Sequence, residues 1–332
     1  MTATLSVQRI RGFNYQPGYA YTGADIWRRF DAQAFERELG WGKRHFPKMN
    51  GLRLWLAYEV FGAGSEQQRD QFIANLDTAF GIAAKHGMAV MPVLFNRWHA
   101  GSPEWGGVFL DHFLPERSWA NHYFDRQWRE FVSAVMSRFG DDPRVFCWDL
   151  CNEPFAYFSK RAWTEYTDIV PHERQWLEDV YALCKEEGAR APLSVGFWAG
   201  AKFLEPLLHL SDVLNFHRYW MGDPATKDEF RRELDALAEI RERTGKPLIS
   251  SEACWGSLDN AKRVDIISFH LNELNQRNIG WLIYALQHSY IADLHWPEYG
   301  RVTEPGTLHC VEPDGSLRPG HDAINRFLEQ NE

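Results

Sequence analysis

The sequence predicts a single (β/α)8 barrel, or TIM barrel, because short apolar segments alternate with amphipathic helical segments along the 332-residue chain. Eight segments have the composition and length of strands. They are residues 11–15, 52–57, 89–95, 145–151, 193–198, 213–219, 247–252 and 280–286. Strands separated by helices pair in parallel, and eight of them are enough to close a ring. We therefore expect a single barrel domain over residues 1–332. An open doubly wound sheet is the alternative.

Helices are predicted between most of these strands, because apolar residues recur there at helical intervals. The predicted helices cover approximately residues 31–46, 66–86, 121–139, 172–187, 225–244 and 258–277, and a last one begins near Pro319. The helix at 66–86 has the strongest signals. Ser65 and Gln68 have the spacing of a capping box, and an apolar stripe follows at Phe72, Leu76, Phe80 and Ala83.

The two ends of the predicted barrel differ in their connections. Connections from a helix to the next strand are short and contain Gly or Pro, as at His86-Gly87. Connections from a strand to the next helix are long, notably residues 96–120, 154–171 and 287–318. Because barrel sites gather at the C-terminal ends of the strands, we expect the functional residues among these long strand-to-helix loops at the C-terminal face.

Charge and composition exclude several classes of partner. Lys and Arg number 36 against 45 Asp and Glu, so a net charge of −9 offers no basic field to a nucleic acid. No apolar run reaches the roughly 20 residues that span a bilayer, and the N-terminus lacks a secretion signal, so we expect no membrane partner and a cytoplasmic location. Five cysteines without paired spacing fit reduced thiols. The 15 Trp residues suit a large core or a cleft that stacks on sugars.

Polar side chains point towards the axis of the predicted barrel from two strands. In strand two the leucines suit the helix-facing side, which leaves Arg53 and Trp55 on the inner face. In strand six, Asn215, His217 and Tyr219 share a face in the same way. Each residue alone is typical of a hydrogen-bonded core position, but their convergence indicates a functional site.

Two glutamates lie where predicted strands end. Glu153 follows strand four, and Glu252 ends strand seven. These strands lie on roughly opposite sides of an eight-stranded ring, so the two side chains can face each other across its mouth. Cleavage of a glycosidic bond needs such a pair: an acid that protonates the leaving oxygen, and a carboxylate that attacks the anomeric carbon or activates water. Asn152, beside Glu153, can hydrogen-bond a sugar hydroxyl.

The motifs together resemble the clan A retaining glycoside hydrolases, most closely the cellulase-like glycoside hydrolase family 5. Asn152-Glu153-Pro154 after strand four, with Glu252 at strand seven, carries most of the resemblance. Further parts are Arg11-Gly12-Phe13-Asn14-Tyr15, Gly51-Leu52-Arg53-Leu54, His217-Arg218-Tyr219, and the closing segment from Glu312 to Pro319. The likeness spans nearly the whole chain.

The resemblance implies a retaining β-glycoside hydrolase that cleaves a β-linked oligosaccharide, glycan or glycoconjugate by double displacement. Glu153 would be the acid/base and Glu252 the nucleophile. Tyr219 would hydrogen-bond Glu252, and Arg53 would keep that carboxylate ionised. Asn152 would hold the sugar 2-hydroxyl. A carbohydrate is then the expected partner, and no cofactor or metal is expected.

The sequence departs from the family pattern at two places. The position of the Trp that family members carry in the eighth strand is occupied here by Tyr284, so we expect Trp281 to face elsewhere, and both residues are kept as candidates for the site. The His expected at the end of strand three has no clean match, and Asn96 or His99 could fill its place. Trp255, just after strand seven, is a further candidate for sugar binding. These departures leave the preferred sugar open.

Four other functions compete with this interpretation. A metal hydrolase would need a clustered His motif, and the sequence has no His-x-His after strand one and no HExxH. A phosphate-binding barrel would need Gly-rich turns, which Cys254-Trp255-Gly256 does not supply. A non-catalytic carbohydrate-binding barrel would normally have lost one of the two glutamates. A transglycosylase would use the same pair and stays open.

Overall fold

The computed structural model contains a closed barrel of eight parallel strands, which confirms the predicted fold class. Each strand pairs with the next along the sequence, and the last pairs with the first. The structure describes residues 6–96, 113, 118–155, 169–198, 201–290 and 308–329. The strands are β1 (Arg11–Asn14), β2 (Gly51–Trp55), β3 (Ala89–Asn96), β4 (Trp148–Asn152), β5 (Leu193–Phe197), β6 (Leu214–Phe216), β7 (Leu248–Ala253) and β8 (Gly280–Ile283).

Helices follow the strands and surround the barrel. The α-helices are α1 (Gly23–Arg28), α2 (Ala32–His45), α3 (Tyr58–Gly62), α4 (Glu66–Lys85), α5 (Ser118–Phe139), α6 (Ile169–Glu186), α7 (Ala201–Leu204), α8 (Lys227–Thr244), α9 (Asn260–Gln276) and α10 (Asn325–Leu328). All predicted helices are present, and the last begins as a 3-10 turn at His321–Ile324. The short helices α1, α3 and α7 were not predicted, because segments of four to six residues are too short for an apolar period to show.

Three predicted strands extend three residues beyond the strand in the structure, and β8, which ends at Ile283 rather than at residue 286, is one of them. β4 begins at Trp148 rather than at residue 145, although Val145 makes an isolated bridge to Val90. β6 ends at Phe216, so the prediction of strand over residues 213–219 is wrong for its last three positions. The backbone N–H of His217 still donates to Phe197 O at 2.6 Å, and the chain then leaves the sheet.

The start and the buried face of helix α4 follow directly from its local sequence. The Ser65 side chain accepts from the backbone N–H of Gln68, and the Gln68 side chain accepts from the N–H of Ser65, which confirms the capping box. The predicted stripe faces inward and is buried at Phe72, Leu76, Phe80 and Ala83. This face fixes α4 against the barrel.

The barrel interior is layered along its axis. Apolar side chains fill its N-terminal end, namely Val7, Ile10, Met91, Phe146, Cys147, Val213, Ile249 and Leu282. Above them lies a layer of polar side chains without solvent exposure, made of Asn14, Arg53, Asp149 and Asn215. Buried polar groups persist only when they are hydrogen-bonded, so this layer identifies the end of the barrel where the side chains are arranged for a purpose other than packing.

Other expectations concern cysteines, membranes and loops. All five cysteines are buried and free, as the sequence indicated. In the described part of the chain, no helix is both long and apolar enough to cross a membrane. Most of the predicted loops at 96–120, 154–171 and 287–318 lies outside the described residues.

Candidate active site

The two predicted glutamates meet at the C-terminal mouth of the barrel. Glu153 directly follows β4 and has a positive φ of 50°, a conformation that costs a non-glycine residue energy and that concentrates at functional sites. Glu252 lies near the end of β7. An oxygen of each carboxylate and a ring nitrogen of His217 lie within 4.8 Å of one another. The side chains of Glu153 and Glu252 are 12% and 9% exposed, so both reach solvent only at the mouth.

Glu252 is held at both carboxylate oxygens. Arg53 Nη1 donates to Oε1 at 2.6 Å, and the Tyr219 hydroxyl donates to Oε2 at 2.8 Å. Burial and the facing Glu252 raise the pKa of Tyr219 well above its ordinary value, so the phenol keeps its proton and remains a donor. The contacts that the family resemblance implied for Arg53 and Tyr219 are both present.

Arg53 crosses the polar layer and is itself fully buried. Its Nε and Nη2 both donate to Oδ2 of Asp149, at 3.1 and 2.7 Å. Its remaining bonds go to Oδ1 of Asn152 at 2.8 Å and Oδ1 of Asn14 at 3.2 Å, and its guanidinium lies 4.6 Å from the Trp55 ring centroid. Burial lowers the pKa of Arg53, but the negative charges of Asp149 and Glu252 have the larger combined effect and raise it.

Glu153 has a different environment from Glu252. Burial raises its pKa to about 7, Arg53 acts in the opposite direction, and Asp149 adds to the rise. The Glu153 backbone N–H donates to Gly196 O at 2.7 Å, which anchors the turn after β4 to β5. One glutamate is therefore paired with a cation, and the other is desolvated.

His217 lies between the two strands that carry the glutamates. Its Nδ1 is 2.9 Å from Glu153 Oε1, and its Nε2 is 2.8 Å from Ser251 Oγ. Burial lowers its pKa to about 4, so the ring is neutral at neutral pH. Asn215, predicted on the same face, lies deeper and contacts Asp149 at 3.4 Å and Ser194 at 3.3 Å, so it belongs to the polar layer.

Asn152 and Asn96 lie beside the mouth and contact each other. Asn152 Nδ2 donates to Asn96 Oδ1 at 3.1 Å, while Asn152 Oδ1 accepts from Arg53. Asn152 is 1% exposed, and Asn96 at the end of β3 is half-buried. His99, the other candidate for the end of strand three, lies outside the described residues.

Two of the three candidate aromatic residues, Tyr284 and Trp255, lie near the glutamates. The Tyr284 ring packs edge-on against Trp55 with centroids 5.7 Å apart, and its hydroxyl donates to Gln16 Oε1 at 3.0 Å. Trp255 is partly exposed and lies edge-on to Tyr219 at 5.1 Å. These contacts put Tyr284 and Trp255 at the mouth.

Trp281 does not belong to the site, which corrects its inclusion among the candidates. Its indole N–H donates to Asn275 on α9 at 2.9 Å, and the Arg11 guanidinium lies 5.4 Å from its ring centroid. The ring therefore faces the helix layer, because alternation along β8 turns it away from the axis.

Several residues that build the site were missed from the sequence. Asp149 neutralises Arg53, and Asn14 joins Arg53 to the Ser251 carbonyl at 2.8 Å. Arg263 on α9 is fully buried and donates to the carbonyls of Cys254, Trp255, Tyr284 and Leu308, which fixes the loops after β7 and β8. The sequence contained one usable signal, since an inward Arg53 requires an acidic partner and Asp149 lies within predicted strand four.

Among the described residues, the group of side chains close enough to hold a metal ion is Glu153, His217 and Glu252. These three side chains are already hydrogen-bonded, Glu153 to His217 and Glu252 to Arg53 and Tyr219. A cation there would have to compete with the Arg53 guanidinium for the Glu252 carboxylate.

The closed barrel with one glutamate just after its fourth strand and another at the end of its seventh is the arrangement of the barrel-type glycoside hydrolases. Comparison with known families agrees. The chain belongs to the cellulase family, glycosyl hydrolase family 5, whose model matches residues 43–289.

Individual relatives give narrower comparisons. The chain is 27% identical over 97 residues to the probable mannan endo-1,4-beta-mannosidase A of Aspergillus flavus, a segment that makes up 28% of this chain and 24% of that protein. The match thus spans about a quarter of that relative.

Solved structures share the fold. The family 5 mannosidase from Rhizomucor miehei superposes with a TM-score of 0.67 over 97% of this chain and 92% of that one, at 13% identity. The exo-beta-1,4-mannosidase from Opitutaceae bacterium strain TAV5 superposes with a TM-score of 0.67 over 96% of this chain and 58% of that one, at 15% identity.

Proposed function

We propose that the chain is a retaining β-glycoside hydrolase that acts on β-linked mannosides. The observation that carries the proposal is the asymmetry of the glutamate pair. Glu252 accepts hydrogen bonds from Arg53 and Tyr219 at its two oxygens, whereas burial raises the pKa of Glu153 to about 7. Two carboxyl groups with such different environments suit the separate roles of nucleophile and acid.

In the first step, Glu252 attacks the anomeric carbon while Glu153 gives its proton to the glycosidic oxygen. The bond to the leaving group breaks, and a covalent glycosyl-enzyme forms on Glu252. In the second step, the ionised Glu153 takes a proton from a water molecule, whose oxygen attacks the same carbon and releases Glu252. Retention follows from the two displacements, and it needs carboxyl groups about 5–5.5 Å apart. The oxygens within 4.8 Å in the structure support this geometry.

The fixed groups around Glu252 support its role as nucleophile. Tyr219 holds the oxygen that is 3.8 Å from His217, and Arg53 holds the other, so the carboxylate is oriented before substrate arrives. Orientation of this kind lowers the entropic cost of reaching the transition state. Asn152 and Asn96 lie beside the pair and are positioned to hydrogen-bond sugar hydroxyls, while Trp255 and Tyr284 supply aromatic surface.

The choice of a mannoside rests on the relatives. The Aspergillus flavus relative and both solved structures described above are named as mannosidases, one of them endo-acting and one exo-acting. We propose the β-mannosidic bond as the substrate class and leave the length of the chain to experiment.

A substrate screen tests the proposal. Aryl β-mannosides, β-glucosides and β-N-acetylglucosaminides are assayed beside mannan and manno-oligosaccharides, and proton NMR follows the anomer that appears first. We expect β-mannosides to be cleaved at least tenfold faster than the other glycosides, with the β-anomer as first product. Products longer than the substrate would identify a transglycosylase with the same pair.

Variants separate chemistry from folding in this screen. Glu252→Gln should be inactive on every substrate, because it removes the nucleophile. The matched control is Glu273→Gln, since Glu273 is also buried and ion-paired, to Arg231 and Arg277, but lies on α9 away from the mouth. An active Glu252→Gln, or an α-anomer as first product, would contradict the assignment.

A further inference from the structure

The imidazole of His217 contacts Ser251 as well as Glu153. Ser251 is fully buried, and its Oγ lies 2.8 Å from His217 Nε2. The opposite nitrogen of the ring, Nδ1, lies 2.9 Å from Oε1 of Glu153. The imidazole therefore bridges a hydroxyl on β7 and the carboxyl group after β4.

The local geometry of β7 makes this contact available. Strict alternation would turn Ser251 away from the face that Glu252 occupies. The register between β7 and β8 shifts between Ser250 and Ala253, and an irregularity of this kind re-aims side chains. As a result, two consecutive residues address the same ring, Ser251 at Nε2 and Glu252 at 3.8 Å from Nδ1.

The buried hydroxyl of Ser251 needs an acceptor for its proton. Among the described residues, His217 Nε2 is the group within hydrogen-bond distance of Ser251 Oγ. If Nε2 carried a proton and donated to Oγ, the hydroxyl proton would be buried without an acceptor, which is unfavourable. The hydroxyl therefore donates to Nε2, and the neutral ring carries its proton on Nδ1.

We propose that Ser251 is a positioning residue that selects the Nδ1–H tautomer of His217 and so places the catalytic proton of Glu153 on Oε2. This inference rests on the proposed function for its catalytic meaning. With Nδ1–H donating to Oε1, a protonated Glu153 must carry its hydrogen on the other oxygen. That oxygen, Oε2, has no hydrogen-bond partner among the described residues, so it is available to the glycosidic oxygen of a substrate.

Charged groups face the ring from three elements. Glu153 and Asp149 belong to the β4 segment, Glu252 to β7, and Arg53 to β2. Burial has the largest effect and lowers the pKa of His217 to about 4; Glu252 and Asp149 act against it, and Arg53 acts in the same direction. The ring thus stays neutral where the enzyme would work, and its tautomer, rather than its charge, is the variable that Ser251 controls.

The tautomer can be observed without any activity. In protein labelled with ¹⁵N-histidine, long-range ¹H–¹⁵N correlation near pH 7 distinguishes the protonated ring nitrogen from the bare one, and His217→Gln identifies the signal by its loss. We expect Nδ1 protonated and Nε2 bare in the wild type. In Ser251→Ala the share of Nδ1–H should fall, whereas Ser251→Thr, which keeps the hydroxyl, and the neighbouring Ser250→Ala should preserve it.

Kinetics supply the second readout. In Ser251→Ala, His217 Nδ1 can accept the Glu153 proton, which stabilises the protonated acid but aims its hydrogen at the ring. The alkaline limb of the pH profile should move up by about half a pH unit, and kcat for a poor leaving group should fall about tenfold. An activated aryl glycoside should change less than about twofold, since it needs little protonation.

The outcomes separate this inference from the proposed function. A wild-type His217 protonated on Nε2 would overturn the role of Ser251, even if the chain hydrolyses mannosides. Equal loss on both leaving groups, with an unmoved alkaline limb, would make Ser251 a structural residue only. The expected tautomer in a chain without glycosidase activity would overturn the proposed function and leave the hydrogen-bond assignment standing.

Discussion

Arg53 and Glu252, on β2 and β7, form a direct ion pair across the mouth of the barrel, with Nη1 2.6 Å from Oε1. The same guanidinium is paired with Asp149 through two further nitrogens. Two carboxylates share one arginine, so this group of three carries one net negative charge beside Glu153 when both are ionised. Burial raises the pKa of Glu153; within this group Arg53 lowers that pKa and Asp149 raises it, so the charge of Asp149 offsets part of the effect of Arg53.

The Tyr219 hydroxyl orients Glu252, so Tyr219→Phe should lower kcat about a hundredfold and change the melting temperature by only a few degrees. Turnover and thermal unfolding measured on the same preparation test this. Tyr15→Phe is the matched control, because Tyr15 makes an equivalent 2.8 Å bond to a buried glutamate, Glu38, away from the pair. Normal turnover in Tyr219→Phe would make Tyr219 a core residue.

The rate should fall as pH rises through about 7, because Glu153 must be protonated to act as the acid. The apparent pKa of this limb belongs to the coupled pair of glutamates. Glu153→Gln should remove the alkaline limb and slow poor leaving groups by several orders of magnitude, while activated substrates still form the glycosyl-enzyme quickly. The opposite pattern, with Glu252→Gln sparing activated substrates, would exchange the roles.

Glu153 should reduce the stability of the folded protein at alkaline pH. Its folded pKa of about 7 lies above the ordinary 4.5, so the stability present below pH 4.5 is lost progressively as pH rises to about 7. Above that range, Glu153→Gln should be more stable than the wild type by about 3 kcal/mol, and at pH 4 the two should be equal. Urea unfolding at pH 4 and pH 8 measures the difference. If Glu153→Gln and the wild type had the same free energy of unfolding at pH 4 and also at pH 8, Glu153 would not be desolvated.

Asp149→Asn removes the second anion from Arg53 while keeping the side-chain shape. We expect a loss of about 3 kcal/mol in the free energy of unfolding, because a buried charge loses its partner. The pKa of Glu153 should fall as well, which moves the alkaline limb to lower pH. Asp142→Asn is the control, since Asp142 is ion-paired to Arg144 outside the barrel axis. If the alkaline limb did not move in Asp149→Asn, the charge of Asp149 would have no effect on the pKa of Glu153.

Activity should be unchanged in excess EDTA. Glu153, His217 and Glu252 are close enough to bind a cation, but both Glu252 oxygens already accept hydrogen bonds, and His217 Nδ1 is paired with Glu153. The two carboxyl groups suffice for the reaction. The enzyme is dialysed against EDTA and assayed before and after adding Zn²⁺ or Mg²⁺. Loss of activity that a metal restores would contradict the expectation.

The positions of the glutamates could be predicted because they follow from counting strands. In a parallel ring every strand ends at the same face, so residues just after β4 and within the end of β7 must meet there. Arg53 was placed inside by alternation alone. Asp149 was not assigned as its partner, since alternation gives the direction of a side chain but not its height along the axis.

Other parts of the site depend on local departures from regular structure. His217 and Tyr219 were predicted within a strand, but they reach the glutamates after β6 has ended at Phe216. Ser251 reaches His217 because the strand register shifts. Arg263 lies on a helix and stabilises the loops at the mouth of the barrel. An arginine in a helical segment normally indicates a solvent-exposed position. None of these features leaves a periodic pattern in the sequence.

Gly196 on β5 lies where three parts of the site converge. Its N–H donates to Asp149 Oδ1 at 2.9 Å, and its carbonyl accepts from Glu153. A Cβ atom at this position would lie 2.8 Å from Asp149 Oδ2 and 3.1 Å from the His217 ring, closer than such atoms pack. A homologue that keeps both glutamates but has a larger residue here must have rearranged the aspartate or the imidazole. A glycine at this position therefore indicates, from sequence alone, that a homologue keeps the same arrangement of the aspartate and the imidazole. This indication is independent of the two glutamates.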